Sequence, residues 1–531
     1  MTKHGGDQLF DEIVGCDNEG AMMGIPYSLF GYSVNLKRIW NSSGDDSFEN
    51  GGDNEMQPPI RKRLKTADYI YEHLFVGGEG SDVLIKALNS EWKLHRVYLS
   101  QSPYFASMFS GKWRESNFHE ISVDFPDRRI TVESLTTVLG SLYKDAIDIE
   151  LTKAVSLVAT AVALQLDNVV QQCAEVMMSN ISIKTVHSYF NASLDYGLKE
   201  LEDHCRQWLD RNLLQFSSNF LFLRKISPDL MTDLVKSPGL HVVQGEMDLY
   251  WMLKKWMYAR SRSATLEATL DLKTATDEYF SSFGDVTSFL ESAKGLVFVP
   301  VFRHLRLHHI LSASKSYQTI CDDNIIPKDI VDKVMAAQWQ KQLALDSESE
   351  AKEENSTFDE TVFHQRAIRC GRVLPDDNAF CWRWSGYFFG VDILLNYKNR
   401  LLSMKRNCGS QPTPYSVNLK TERKICYKLS VVKFNEKRQE IWCLSSGLKW
   451  ANLKAEETVV IGRIPSGIQF PLTIVFNFVT VPFVEDFAID ALSNAWQKYL
   501  VAASSYEEDY EDDEEVGFLQ DDQGEGTSAS A

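Results

Sequence analysis

The chain has 531 residues, of which 44% are hydrophobic, so it is long enough to bury the cores of two to four domains. It contains no run of about 18 apolar residues and no basic start followed by an apolar stretch, which disfavours a membrane span and a secretory signal. The net charge of −18 resides in the ends, because residues 1–60 carry 10 acids and 3 bases and residues 505–531 carry 11 acids and no base. Residues 61–504 therefore sum to zero, which argues against direct nucleic-acid binding.

The first 60 residues are rich in Gly, Asn, Asp and Ser, a composition typical of disordered segments. A basic cluster follows at Arg61, Lys62, Arg63 and Lys65. Such a cluster is a candidate nuclear localisation signal, and the alternative is a solvated basic approach to a helix predicted over Ala67–Phe75.

Residues 66–170 have the pattern of a small α/β domain. The sequence predicts a short strand over Val83–Ala87, a turn at Asn89–Ser90 and a second strand around Trp92. A helical segment follows, and its predicted buried residues are Tyr98, Phe105, Met108 and Phe109. On spacing alone, Asp82 and Arg96 are a turn acid and a surface base.

Residues 171–340 are predicted to form a helical domain, because apolar positions recur there at helical spacing. The later predicted helices include Leu249–Ala259 and Val299–Leu311. His304 and His308 are four residues apart on the second of these, a spacing that can place two imidazoles on one metal ion. No Cys, Asp or Glu stands at a supporting spacing, so no metal site is predicted.

The C-terminal third is predicted to be β-rich. An acidic linker is predicted over residues 341–365, since residues 346–360 hold seven acids and one lysine. Residues 366–500 then carry aromatic and β-branched runs separated by turn residues, which favours an antiparallel sandwich or barrel. The predicted strands lie within Trp382–Leu395, Lys424–Phe434, Glu440–Leu444, Thr458–Ile461 and Leu472–Val481. Residues 501–531 are predicted to be a disordered acidic tail.

Enzyme motifs are missing from the sequence, which has no Gly-rich phosphate loop after a strand, no H-E-x-x-H and no nucleophile elbow. We therefore predict a protein without catalytic residues, cofactors or bound metal. An enzyme with an unrecognised site has no positive feature in its favour.

Five segments resemble the germ cell-less family, in which a BTB (POZ) domain is followed by a helical BACK domain and a β-rich C-terminal domain. They are Tyr69–Phe75, His95–Ser102, Phe302–Leu307, Arg369–Arg372 and Cys381–Gly386. The resemblance covers roughly residues 61–490. It implies an α+β multidomain fold with an α/β BTB domain at 66–170, an α-helical BACK domain at 171–340 and an antiparallel C-terminal domain at 366–500.

The resemblance implies a substrate-specific adaptor of a cullin-3 RING ubiquitin ligase, which does no chemistry itself. BTB adaptors of this kind carry a hydrophobic-x-Glu motif after the Phe-x-x-Met-Phe helix, where this sequence has Trp113 and Glu115. The implied cullin-binding residues are Tyr104, Met108, Phe109, Trp113 and Glu115. On the alternative interpretation Trp113 fills the BTB core and Glu115 is solvated. Asp82 and Arg96 match a buried charged pair near the BTB dimer interface, which implies a homodimer.

The C-terminal sheet is then expected to recruit the substrate protein. Its recognition candidates are the aromatic residues Trp382, Trp384, Tyr387 and Phe388, which on the alternative interpretation are core residues. The resemblance further implies the nuclear envelope or nuclear matrix, lamina-associated partners and a role in germ-cell development or spermatogenesis. Cytoplasm or the membrane periphery is the second location. The competing hypothesis is a nuclear scaffold that acts as a transcriptional corepressor without ligase activity.

Several relatives begin with Met-Gly and a myristoylation signal, whereas this chain begins Met1-Thr2. This difference disfavours lipid anchoring.

Overall fold

A computed structural model describes residues 66–112, 116, 118–144, 147–262, 271–283, 287–311, 313–347, 360–384, 393–406, 422–454, 457–481 and 487–507. The basic cluster at 61–65 and most of the acidic tail lie outside these ranges. Within them, no helix has both the length and the apolar character needed to cross a bilayer. The predicted fold class is confirmed, with an α/β domain, many helices and antiparallel C-terminal sheets.

The first domain is a three-stranded sheet packed against short helices. Its strands are β1 (Val83–Ala87), β2 (Ser90–Leu94) and β3 (Glu120–Ser122), in the order β2-β1-β3, with β1 antiparallel to β2 and parallel to β3. Leu88 and Asn89 join β1 to β2 with φ of 49° and 58°, so the turn lies one residue earlier than predicted. The helices are α1 (Thr66–Tyr69), which continues as a π-helix over Ile70–Val76, α2 (Arg96–Leu99), α3 (Pro103–Phe109) and α4 (Val132–Ser141).

A helical domain follows, in which neighbouring helices such as α5 and α6, or α7 and α8, pack as pairs. Its helices are α5 (Ala154–Ala163), α6 (Asp167–Ser179), α7 (Val186–Asp195), α8 (Lys199–Asn212), α9 (Phe220–Arg224), α10 (Pro228–Lys236), α11 (Glu246–Arg260), α12 (Leu272–Ser281), α13 (Val299–Phe302), α14 (Leu307–Ile310), α15 (Ser314–Asp323) and α16 (Lys328–Ser347). Short 3-10 turns lie at Leu151–Lys153, Leu213–Phe216, Phe289–Glu291 and Leu296–Phe298. The predicted helix Leu249–Ala259 corresponds to α11.

The predicted helix Val299–Leu311 is wrong, because the chain forms α13 and α14 with a break between them. His304 lies in the break and His308 in α14, so the two imidazoles do not share one helical face. Arg306, also in the break, donates its guanidinium hydrogens to the carbonyls of Ala367 and His364. Among the residues the structure describes, no group of three or more His, Cys, Asp or Glu side chains is arranged to hold a metal ion.

The C-terminal domain is a sandwich of two antiparallel four-stranded sheets. One sheet has the order β4-β11-β8-β9 and the other β10-β7-β6-β5. The elements in chain order are α17 (Glu360–Arg366), β4 (Ile368–Leu374), β5 (Phe380–Trp384), β6 (Ile393–Lys398), β7 (Leu401–Arg406), β8 (Glu422–Phe434), β9 (Glu440–Lys454), β10 (Thr458–Arg463), β11 (Leu472–Val481) and α18 (Phe487–Glu507). The predicted strand over Glu440–Leu444 continues to Lys454.

Three predicted domain boundaries differ from the structure, because residues 170, 340 and 500 fall inside α6, α16 and α18. The first and helical domains share one apolar core, to which α18 contributes Trp496 and Tyr499, and the sandwich has a separate core. Tyr499 also donates a hydrogen bond to Asp329 of α16 at 2.6 Å. The final helix therefore belongs to the helical body and not to the predicted β-domain or tail.

A buried ion pair attaches the sandwich to the helical domain. Arg369 of β4 donates to both carboxylate oxygens of Glu246 in α11, at 2.8 and 2.9 Å, and to the carbonyl of Val235 at 3.0 Å. The side chains of Glu246 and Arg369 are each 1% exposed. Burial alone would raise the pKa of Glu246, but the guanidinium of Arg369 outweighs it and holds that pKa below its usual value.

The tip of the β8–β9 hairpin makes a second attachment. The indole of Trp208 donates to the carbonyl of Lys437 at 3.1 Å, and the amide of Asn212 donates to the carbonyl of Arg438 at 3.0 Å. Arg438 in turn donates to the side-chain oxygen of Asn212 at 3.1 Å. The buried ion pair, the hairpin tip and the hydrogen bonds from Arg306 to Ala367 and His364 therefore all join the sandwich side of the chain to the helical domain.

We predict that Arg369→Met lowers the free energy of unfolding by about 3–5 kcal/mol, because Glu246 is left buried without its cation. The double variant Glu246→Leu, Arg369→Met should recover much of that loss, since it removes both charges. Urea unfolding followed by circular dichroism measures both.

The matched control is Lys199→Met, which removes an exposed lysine from Glu202 and should cost less than about 1 kcal/mol, because Glu202 keeps its bond to Arg206 at 3.0 Å. Equal losses for Arg369→Met and this control would contradict the proposed importance of the buried pair.

Candidate partner-binding surface

Helix α3 carries an apolar face that is only partly covered by the first domain. Ser102 caps it by accepting a hydrogen bond from the backbone of Phe105 at 3.4 Å, and Pro103 is its first residue. Phe105 is 1% exposed in the core, which fixes the rotation of the helix. Tyr104, Met108 and Phe109 pack against that core but remain half-buried. The helix thus brings these three predicted site residues to one region of the surface.

In the segment after α3, Ser116 is bonded to the C-terminal end of that helix and to the residue that follows Ser110 and leads away from it. Its hydroxyl donates to the carbonyl of Met108 at 2.8 Å and accepts the backbone hydrogen of Gly111 at 3.2 Å. Trp113 and Glu115 stand inside this segment but outside the described residues, so their contacts remain a prediction. Sequence reasoning missed Ser116, because a single serine in a loop carries no pattern.

Arg96 connects this segment to the rest of the domain. Its guanidinium donates to the carbonyl of Ser116 at 2.5 Å and to that of Phe118 at 2.6 Å. The same group lies 4.7 Å from the ring centre of Phe109, a cation–π distance. One side chain therefore touches α3 and the segment that follows it, which sets the spacing between them.

In the single chain that the structure describes, Asp82 and Arg96 are joined through the backbone of Arg96, and their expected burial as a charged pair near a dimer interface stays a prediction. Asp82 is exposed, and its carboxylate accepts the backbone N–H of Arg96 at 2.8 Å, not its guanidinium. The reason is that Arg96 begins α2, where backbone N–H groups have no partner within the helix. Asp82 supplies that partner, which leaves the guanidinium to reach Ser116. A role for both residues in dimerisation stays a prediction.

Two apolar side chains flank Arg96 in solvent. Val97 is 74% exposed on α2, and Phe118 is 55% exposed just before β3. Scattered apolar residues are normal on a surface, but these two belong to the backbone neighbourhood of Arg96, since Phe118 provides one of its acceptor carbonyls. Two exposed apolar side chains therefore belong to the residue after Arg96 and to a residue that accepts its hydrogen bond.

Of the four aromatic residues predicted as substrate contacts, the structure describes the side chain of one. Trp382 is 7% exposed in the sandwich core, paired opposite Leu395, so it is a core residue and not a surface contact. Its position in β5 directs it between the sheets, as the alternative interpretation anticipated. The side chain of Trp384, together with Tyr387 and Phe388, lies outside what the structure describes.

Comparison with known proteins identifies the family of this chain. The BTB/POZ domain model matches residues 71–181, the region that contains α3 and Arg96. Germ cell-less protein-like 1 of Mus musculus is 38% identical over 431 residues, which cover 80% of this chain and 82% of the mouse protein. Protein germ cell-less of Drosophila melanogaster is 35% identical, over 80% of this chain and 79% of the fly protein. The chain belongs to the germ cell-less family.

Among solved structures, the BTB domain of zebrafish PATZ1 matches with 22% identity and a TM-score of 0.18, over 21% of this chain and 86% of that one. Within this germ cell-less family member, the BTB/POZ match extends past the predicted boundary at 170 and includes α6. A BTB/POZ domain is a protein-binding module, so the face formed by α3 and Arg96 belongs to a domain that binds partners.

We predict that Arg96→Met loosens the segment after α3, because two carbonyls lose their charged donor. Amide hydrogen exchange at Gly111 and in the stretch 116–118 should become faster, and the free energy of unfolding should fall by about 1–2 kcal/mol. Arg96→Lys should show an intermediate effect, since an ammonium replaces the planar two-armed donor.

The matched control is Asp82→Asn, which keeps an oxygen acceptor for the backbone of Arg96 and should leave exchange at Gly111 unchanged. Unaltered exchange in Arg96→Met would show that the guanidinium does not hold the segment.

Proposed function

We propose that this protein is a non-catalytic, substrate-specific adaptor of a cullin-3 RING ubiquitin ligase. The observation that supports this most is the half-buried face of Tyr104, Met108 and Phe109, beside which Ser116 bonds to Met108 and to Arg96. A half-buried helix face that the fold already fixes offers a partner a surface that costs little entropy to order.

The residue types in this region suit a cullin contact. An aromatic side chain such as Trp113 supplies a large apolar anchor, and a carboxylate such as Glu115 sets register by hydrogen bonding at the rim. Phe109, stacked on Phe105 at 6.0 Å and covered by Arg96, provides a rigid neighbour for such an anchor. We assign the cullin contact to this face.

Homodimerisation forms the second part of the proposal. Val97 and Phe118 expose apolar side chains, and a two-fold contact between two copies would cover them. A dimeric adaptor presents two cullin-binding faces and two substrate-binding domains.

The sandwich serves as the substrate reader in this proposal. Its attachment to the helical domain through Arg369 and through the hairpin at Lys437–Arg438 holds it in one orientation relative to the BTB/POZ domain. Ubiquitin transfer needs a substrate held at a defined distance from the cullin, and a firmly attached reader provides it. The family relationship points to substrates in germ-line cells.

We predict that Trp113→Ala with Glu115→Ala abolishes copurification of cullin-3 while the chain stays folded. Loss of a buried aromatic anchor costs about 2 kcal/mol or more, which is about a thirtyfold loss of affinity. Copurification under proteasome inhibition, with quantitative mass spectrometry of the bound proteins, measures cullin and substrate together.

The matched control is Trp339→Ala with Glu200→Ala, which removes an exposed tryptophan and an exposed glutamate from the helical domain. It should leave cullin recovery unchanged. If the Trp113 and Glu115 double variant recovered as much cullin-3 as the wild type, the adaptor proposal would be contradicted. That result would favour a nuclear scaffold that acts as a transcriptional corepressor without a ligase.

Nuclear residence, at the envelope or matrix, is the location we propose, with lamina-associated proteins as neighbours. The basic cluster of Arg61, Lys62, Arg63 and Lys65 is the proposed import signal. Replacing all four by Ala should move a fluorescent fusion of the full chain to the cytoplasm. The control replaces Lys184, Lys294 and Lys315, exposed bases of the helical domain, and nuclear signal that persists in the four-alanine variant would argue against this cluster.

A further inference from the structure

The two sheets of the sandwich differ in what covers their outer faces. In the first sheet, β11 directs Thr473, Val475, Asn477 and Val479 away from the sandwich core, and all four are only 5–8% exposed. Phe363 of α17 packs against Val479 on this side. In the second sheet, every described residue that points away from the core is exposed or half-buried. The second sheet therefore displays its outer face to solvent.

Strand pairing aligns the outward residues of the second sheet in rows that cross the strands. Two of the rows have a leucine between two bases on the flanking strands. One row is Lys398 of β6, Leu401 of β7 and Arg463 of β10, and the other is Arg383 of β5, Leu394 of β6 and Lys405 of β7. We call the first of these the basic row. No acid and no aromatic side chain occupies a described outward position of these four strands.

The basic row carries charges that the described part of the chain does not neutralise. Lys398 and Arg463 are exposed, and neither forms an ion pair with a described carboxylate. The acids of the turn before β5 are bound elsewhere, because Asp377 accepts from Arg400 at 3.1 Å and Asp376 accepts a backbone N–H of its own turn at 3.0 Å. These charges belong to a positively charged domain, since residues 360–481 contain 18 Lys and Arg against 9 Asp and Glu.

Apolar side chains accompany the two bases. Leu401, between them, is 39% exposed, and Val460, opposite the next outward residue of β7, is 60% exposed. An exposed apolar centre with a cation on either side complements a ligand that is apolar at its middle and anionic at both ends.

The row at Leu394 suits such a ligand less well. It lies about 13 Å from the basic row along the strands. Glu457, which is exposed, directly precedes Thr458, and Thr458 is opposite Lys405. Because an acid of the chain itself stands next to that row, we assign the contact to the basic row.

The spacing of the basic row matches an extended peptide. Adjacent strands are about 4.8 Å apart, so the backbones of Lys398 and Arg463, two strands apart, are separated by about 10 Å. An extended peptide places alternate side chains about 7 Å apart on one face. An acid-x-apolar-x-acid segment that crosses the strands therefore sets its apolar side chain on Leu401 and one carboxylate near each base. Single-stranded nucleic acid is disfavoured, because it binds by stacking on aromatic side chains, which the described face lacks.

We propose that the basic row binds an acidic segment of the substrate protein in which two carboxylates flank an apolar side chain, and this rests on the proposed function, which makes the sandwich the substrate-binding domain. The contact lies on the outer face of the second sheet, away from the buried Trp382. Its charged groups stand at the surface, so added salt weakens it.

The test measures the binding of two fluorescent peptides to the full-length chain. One peptide contains Glu-Ser-Leu-Ser-Glu, and the other has Gln in place of both Glu. The acidic peptide should bind at least about fivefold more tightly than the Gln peptide, because only its carboxylates attract the two bases. Raising NaCl from about 50 to about 300 mM should reduce this difference.

Lys398→Glu with Arg463→Glu should weaken binding of the acidic peptide about tenfold, because the row then repels carboxylates. The matched control is Lys449→Glu with Lys454→Glu, the same change of charge at exposed positions of the first sheet, and it should bind the peptide as the wild type does. Leu401→Ser should weaken binding about threefold without changing the charge. Unfolding midpoints should agree among the variants.

Equal losses in the two double variants would overturn the proposal, because the net charge of the sandwich would then control binding. Tighter binding of an oligothymidylate than of the acidic peptide, with the same dependence on Lys398 and Arg463, would overturn it in favour of a nucleic-acid ligand.

Recovery of cullin-3 distinguishes a failure of the basic row from a failure of the adaptor. If the chain recovers cullin-3 through Trp113 and Glu115 but does not prefer the acidic peptide, the basic row fails and the adaptor stands. If the chain prefers the acidic peptide but recovers no cullin-3, the adaptor fails and the basic row remains a binding site for an acidic protein segment.

Discussion

The ion pair between Glu246 and Arg369 is the contact on which the arrangement of the domains depends. Two charges removed from water are tolerated only when each satisfies the other, and the bidentate geometry with a further carbonyl acceptor at Val235 does so. Arg369 lies on β4 and Glu246 lies on α11. The ion pair therefore fixes the position of β4 of the sandwich against α11 of the helical domain. The hairpin contact at Asn212 adds a second point that prevents rotation about the first.

Arg96 plays a comparable part within the BTB/POZ domain. Carbonyls of a loop have no ladder partner, and a planar guanidinium can satisfy two of them while its face covers an aromatic ring. The carboxylate of Asp82 takes the backbone hydrogen of Arg96 and leaves the guanidinium for Ser116 and Phe118. The position of Phe109 in α3 relative to Ser116 and Phe118 therefore follows from contacts with one half-buried side chain.

Much of the fold follows from local pattern, and the exceptions share a cause. Strand β11 has its predicted bounds because aromatic and β-branched residues run through its whole length. Helix α11 contains its predicted helix because apolar residues are buried on nearly every side of it. Strand β4 was not among the predicted strands, and only a partner 123 residues away makes its Arg369 a core residue. Met108 and Phe109 of α3 were predicted to be buried from helical spacing, and the structure leaves both half-buried. The link from Arg96 to Ser116 joins residues that no periodicity relates.

The return of the chain from the sandwich to the helical body has a consequence for how the protein is made. Trp496 and Tyr499 belong to the core of helices that precede the β-domain in sequence. The ribosome must therefore synthesise the whole β-domain before α18 can complete that core. Until then, the helical domain exposes the apolar surface that α18 will cover, which is the state in which nascent chains associate wrongly. Because α18 is translated last, it can pack only on a helical domain that has already been synthesised and folded.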